Sequence, residues 1–207
     1  MKRALILTIF LLSFSLPTGV QAQGNILPGV ELECDSSTIN INVHPEQNAP
    51  VNVACTVTNT GGAAEDIDLD YNLEGNDFSM ILSESSVSLA AGEEKMFVAT
   101  FSASPRIAVN SEDFNITATV TSYGGAPLNM VPVVPAPSTE VGGTVNSLPY
   151  SRIDLEVSNP STRNIDVSEE AVIQFTIFND GNRIDNLEVV VANEQEILDA
   201  GFKFTSD

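Results

Sequence analysis

Tryptophan is missing from this 207-residue chain, and aromatic residues of any kind make up 6% of it. Carbohydrate sites usually rest on exposed aromatic platforms. Only Tyr123 and Tyr150 stand near the ends of the two sequence blocks described below, so a sugar site has few residues to build on. Histidine occurs once, as His44 before Pro45. A Ser-His-Asp or Cys-His arrangement would have to use it, yet it sits at the end of an expected strand. No glycine-rich loop follows a strand and opens a helix, which removes the usual phosphate cradle. Basic residues are scarce, 8 against 28 acidic, for a net charge of −20. They are spread singly, so no patch exists to neutralise phosphates, and nucleic acid is excluded as a partner. After the first 22 residues no apolar run approaches the roughly 20 residues that a membrane-spanning helix needs.

Those first residues follow the order of a secretory signal peptide. Lys2 and Arg3 are followed by an apolar run from Ala4 to Leu16, then Pro17, Gly19 and a small-x-Ala site at Val20-Gln21-Ala22. Residues 1–22 are therefore expected to be removed on export, leaving Gln23 as the mature N-terminus. Loss of Lys2 and Arg3 takes the net charge from −20 to −22. A surface this acidic stays soluble and resists self-association, and a saline medium would screen its self-repulsion. The expected location is extracellular or on the cell surface.

The mature chain is dominated by period-two alternation. Val51, Val53, Cys55 and Val57 alternate with more polar neighbours, as do Ile67, Leu69 and Tyr71 with Asp66, Asp68 and Asp70. Such alternation marks strands with one buried and one wetted face. It predicts strands near 30–34, 38–43, 50–58, 65–73, 77–82, 86–90, 94–102 and 113–122. Only 194–200 approaches a helical period. One pattern recurs: Val53 to Gly61 returns 120 positions later as Ile173 to Gly181, each an alternating strand ending in Asn-x-Gly. The fold class expected is all-β, a tandem of immunoglobulin-like antiparallel β-sandwich modules. The first module covers 28–123. Residues 124–149 have the Pro/Gly-rich composition of a linker. Residues 150–207 form a partial second module, because counterparts of Val87–Leu89, Met96–Phe101 and Phe114–Thr121 are missing. Expressed alone, that fragment is expected to exchange its amide hydrogens readily.

The order of motifs is informative. An alternating strand runs into Asn59-x-Gly61; an acidic strand covers Glu65 to Tyr71; Val87-Ser88-Leu89-Ala90-Ala91-Gly92-Glu93 makes a turn; Met96–Phe101 and Phe114–Thr121 follow. This resembles the Ig-like accessory modules of exported archaeal and bacterial proteins. Two groups fit, the CARDB-type cell-adhesion domains and the module that accompanies carbohydrate-binding domains in α-galactosidases. The resemblance implies a seven-stranded sandwich within a multi-domain exported protein, and no catalytic residues.

Four residue groups are candidates for special roles. Cys34 and Cys55 are the only cysteines and both fall on inward faces. Export provides an oxidising compartment where a disulfide persists. Aligning Leu32-Glu33 with Leu155-Glu156 puts Val157 opposite Cys34, and Phe175 falls opposite Cys55, so both cysteines are replaced together in the second copy. A Cys34–Cys55 bridge is expected. Asp66, Asp68 and Asp70 share one strand face at about 7 Å intervals. Calcium needs six to eight converging oxygens, which a straight row does not supply unaided, so the row reads as a solvated face and only weakly as a Ca²⁺ site; no other cofactor is expected. Asn115-Ile116-Thr117 is the one permitted N-glycosylation sequon, since Asn159-Pro160-Ser161 is blocked by proline. The function expected is a non-catalytic structural or adhesive segment of a cell-surface protein, with other modules or surface proteins as partners. The alternatives are a carbohydrate- or ligand-binding accessory module and the leading region of an exported hydrolase.

Overall fold

A computed structural model of the chain describes residues 27–130, 136–158, 164, 166, 168, 169 and 172–203. The expected signal peptide, residues 1–22, lies outside them. The described strands are β1 (Val30–Cys34), β2 (Thr38–Asn42), β3 (Val51–Asn59), β4 (Glu65–Leu73), β5 (Phe78–Leu82), β6 (Ser86–Leu89), β7 (Glu94–Ala103), β8 (Ser111–Tyr123), β9 (Ala126–Pro127), β10 (Ser138–Leu148), β11 (Ile153–Val157) and β12 (Phe175–Asn179). One short helix, α1, spans Glu194–Asp199.

Two sheets face each other. One has the order β1-β3-β7-β5; the other has the order β2-β10-β8-β4-β6, with β9 appended to β8. All pairs are antiparallel except β2 with β10, which run parallel. This is an immunoglobulin-like β-sandwich. The alternation explains it directly. Val53, Cys55 and Val57 of β3 point inward, as do Ile67 and Leu69 of β4 and Phe97, Ala99 and Phe101 of β7. The two sheets meet through a common core in which Phe101 and Phe114 pack edge-to-face, with ring centroids 4.8 Å apart. Edge-to-face contact suits the aromatic quadrupole.

The linker expected at 124–149 is corrected by the structure over residues 138–148. Residues 138–148 are β10, an interior strand hydrogen-bonded to β8 on one side and β2 on the other. Its glycines give this strand the composition of a linker. Their role is close approach. A Cβ on Gly143 would lie 2.1 Å from the Ser37 carbonyl oxygen, and one on Gly142 would lie 2.9 Å from Asn115 Oδ1. Glycine inside a strand often marks such contact. Val145 is fully buried, as an inward residue of a central strand should be.

The second block differs from the first. β11 and β12 form a separate two-stranded sheet. The stretch aligned with β4, residues 185–193, is not a strand. Its expected core residues Leu187 and Val189 are exposed. A strand's backbone groups need partners, and no described strand lies beside this stretch to supply them. The weak helical period after Glu194 does form α1.

Candidate functional site

The recurring Asn-x-Gly motif builds the same local structure twice. In the first copy Asn59 accepts the Gly61 N–H at 2.8 Å and donates Nδ2 to the Ala63 carbonyl at 2.8 Å. In the second, Asn179 accepts the Gly181 N–H at 3.0 Å and donates to the Arg183 carbonyl at 2.9 Å. Each turn is also tied to the preceding strand: Thr60 N–H to the Gly29 carbonyl, Asp180 N–H to that of Arg152. The glycines are needed because a backbone carbonyl passes beneath them. A Cβ would sit 3.0 Å from the Leu27 carbonyl oxygen at Gly61 and 2.8 Å from that of Tyr150 at Gly181.

A carboxylate stands four residues after the glycine of each motif, Glu65 in the first copy and Asp185 in the second. Glu65 is buried; its Oε1 accepts the Gly29 N–H at 2.9 Å, while Oε2 meets no donor among the described residues. Burial pushes its carboxyl above the ordinary glutamate range, and the Gly29 N–H pulls partly against this. Asp185 stands at the equivalent place. It pairs with Arg183 Nε at 2.9 Å, and its buried Oδ2 likewise meets no donor among the described residues. The repeat of Asn, Gly and acid at fixed spacing is the sequence signal that marks them.

Cys34 and Cys55 are register partners on β1 and β3 and form the expected disulfide. β11 and β12 repeat that pairing. Val30–Asn59 and Cys34–Cys55 are matched by Ile153–Asn179 and Val157–Phe175. Val157 thus faces Phe175 where the first copy holds its bridge.

The acidic row lies on the outer face of the second sheet. Asp66, Asp68 and Asp70 are all exposed. Asp66 is engaged by hydroxyls from both neighbouring strands, Ser122 and Ser88, and these hold its carboxyl below the ordinary aspartate range. A bulge between β4 and β8 at this point brings Ser122 opposite Asp66. Among the described residues no group of three or more His, Cys, Asp or Glu side chains converges as a metal site.

His44 has a structural post. Its Nδ1 accepts the Glu46 N–H at 3.2 Å, and its ring meets Tyr150 edge-on at 4.9 Å. Tyr150 and Tyr123, the candidate sugar platforms, are both half-buried against the core. Asn115 does face outward, on the wall of an open cleft of about 390 Å³.

The structure instead concentrates contacts at a joint that the sequence did not announce. Only residues 149–152 separate β10 from β11. Asn182, buried in the second Asn-x-Gly turn, accepts the Tyr150 N–H at 2.8 Å and donates Nδ2 to the Leu148 carbonyl at 3.0 Å. Its own carbonyl accepts the Val109 N–H at 3.3 Å. Arg152 reaches Glu46 at 3.4 Å across the joint.

No protein-family model matches the chain, and no curated protein does. Among solved structures it is similar to an Escherichia coli alpha-2-macroglobulin spanning domain MG7 to the C-terminus, at 12% identity and a TM-score of 0.44, over 65% of this chain and 19% of that one. It is also similar to the class 5 fimbriae chaperone CfaA, at 13% identity and a TM-score of 0.36, over 73% and 68%. The periplasmic chaperone SfaE is similar at 12% identity and a TM-score of 0.35, over 56% and 57%. The chain spans about a fifth of the length of that macroglobulin fragment.

Proposed function

We propose that this chain is a rigid, non-catalytic structural segment of an exported, cell-surface multi-domain protein, a stalk-like tandem of Ig-like units of the CARDB kind. The observation that carries this reading is the joint. A four-residue connection closed by the buried Asn182 side chain couples the second unit to the first sandwich without a flexible linker. Buried amides with every partner met resist reorientation, because opening the joint strips hydrogen bonds in a poorly hydrated place. The disulfide between β1 and β3 supports export, since such bonds persist outside reducing compartments. The partners are neighbouring modules or other surface proteins.

Residual dipolar couplings on residues 23–207 test this reading. Couplings from β1–β10 and from β11–β12 should fit a single alignment tensor, and Asn182→Ala should split them into two. Two independent tensors in the unaltered chain would refute a rigid spacer. A glycan array and a panel of hydrolase substrates complete the test. Saturable binding or turnover would move the chain to one of the other function classes.

A further inference from the structure

We propose that Asn115 is an N-glycosylation site of the exported chain. The sequon Asn115-Ile116-Thr117 lies in the middle of β8. Ile116 is fully buried, so the strand's alternation turns Asn115 and Thr117 together to the outer face of the second sheet. Both keep partial exposure there. The Asn115 amide makes no side-chain hydrogen bond among the described residues, so no internal partner has to be given up.

The neighbouring strands make the room. Asn115 is flanked in register by Asn72 on β4 and by Gly142 on β10. The missing side chain at Gly142 matters, because a Cβ there would press on Asn115 Oδ1 at 2.9 Å. Asn115 therefore opens onto the 390 Å³ cleft, whose other walls are Asn72, Glu74, Asp113 and Thr144. These polar groups can hydrogen-bond to hydroxyls, so the first sugars of a glycan find acceptors and donors beside the Phe114 that also lines the cleft.

The reaction is a group transfer from a lipid-phosphate-linked oligosaccharide. Asn115 Nδ2 forms a bond to the anomeric carbon of the first sugar. The bond from that carbon to the phosphate oxygen breaks, and the lipid phosphate leaves with the electron pair. The amide nitrogen gives up one proton, and nothing is oxidised or reduced. The glycan then covers the outer face of β10, β8 and β4 and leaves the outer face of β1-β3-β7-β5 open to partners.

This inference rests on export, so export is measured separately. The full chain, with its own N-terminal segment, is secreted from a host that N-glycosylates its exported proteins, and its intact mass is recorded. One glycan should be present. Asn115→Gln and Thr117→Ala should remove it, and Thr117→Ser should retain it. Enzymatic deglycosylation in heavy-oxygen water should leave a labelled aspartate at position 115. A secreted, disulfide-bonded chain of bare mass would overturn the proposal, as would a glycan that survives Asn115→Gln. A chain that stays inside the cell strikes at export instead. The same mass measurement with a proven signal sequence then decides Asn115.

Discussion

The hairpin-like pairs β1–β3 and β11–β12 have the same register and opposite surroundings. Both end at an Asn-x-Gly turn with the same two asparagine hydrogen bonds. Yet Leu32 is 4% exposed, while its counterpart Leu155 is 55% exposed. Val157 and Phe175, which stand where the first copy has its disulfide, are also exposed. The difference lies in what covers them. β3 has β7 on its free edge and the second sheet across its face; β12 pairs only with β11 among the described residues. Local sequence is therefore enough to set a turn and a register, but the stability of the same residues depends on what is packed against them.

Equivalent leucines should separate the two copies most. Leu32→Ala empties a packed core position and is expected to cost about 2–5 kcal/mol. Leu155→Ala should stay within about 0.5 kcal/mol, as exposed positions do. Urea unfolding of the full chain checks both, and equal losses would mean that β11–β12 is covered in solution.

The bridge comes next. Replacing Cys34 and Cys55 together by alanine releases a loop of 21 residues and should cost about 3 kcal/mol in the chain-entropy view. Thiol titration of the unfolded, unreduced chain should find no free thiol. Val157→Cys combined with Phe175→Cys should form a second bridge on oxidation, since the two are register partners. Two persisting thiols would show that the second pair is not held in this register.

The turn asparagines test a smaller effect. Asn59 is buried and also donates to the Leu89 carbonyl at 3.0 Å. Asn59→Ala leaves buried carbonyls unpaired and should cost about 1–3 kcal/mol. Asn179→Ala, at an exposed turn, should cost under about 1 kcal/mol. Thermal unfolding ranks the two variants.

Protonation gives the smallest and most local readout. Glu65 has a raised carboxyl pKa in the folded state, so the fold binds its proton more tightly than the unfolded chain does. Stability should therefore fall as pH rises from the ordinary glutamate range through the raised value. Glu65→Gln should flatten that slope. Asp66 has the opposite sign. Its lowered pKa gives a contribution present above the ordinary aspartate range and lost as pH falls through the lowered value. Carboxyl NMR titration should place Glu65 above and Asp66 below their ordinary ranges. Ser88→Ala with Ser122→Ala should bring Asp66 back up.

Alternation made most of the sandwich legible. β1 to β8 lie within a residue or two of the expected strands, because each carries a buried and a wetted face. The Cys34–Cys55 bridge was legible because the two copies could be aligned. β10 was not, since its glycines were read as linker when they serve close contact with Ser37 and Asn115. Asp185 and Asn182 were hidden for a different reason. Buried polar residues interrupt a hydrophobic pattern and look like surface until the turn above them is seen.

The sequence by itself determined which residues alternate, where the turns fall and which cysteines meet. All of these depend on contacts within a strand or between repeats of one pattern. Only the tertiary structure decided that residues 138–148 lie parallel to β2 inside the second sheet, that Asn182 closes the joint, and that one hairpin is buried while its copy is bare. Those outcomes depend on which distant backbone groups and faces find each other, and the free energy of that pairing comes from burial, which no local pattern encodes.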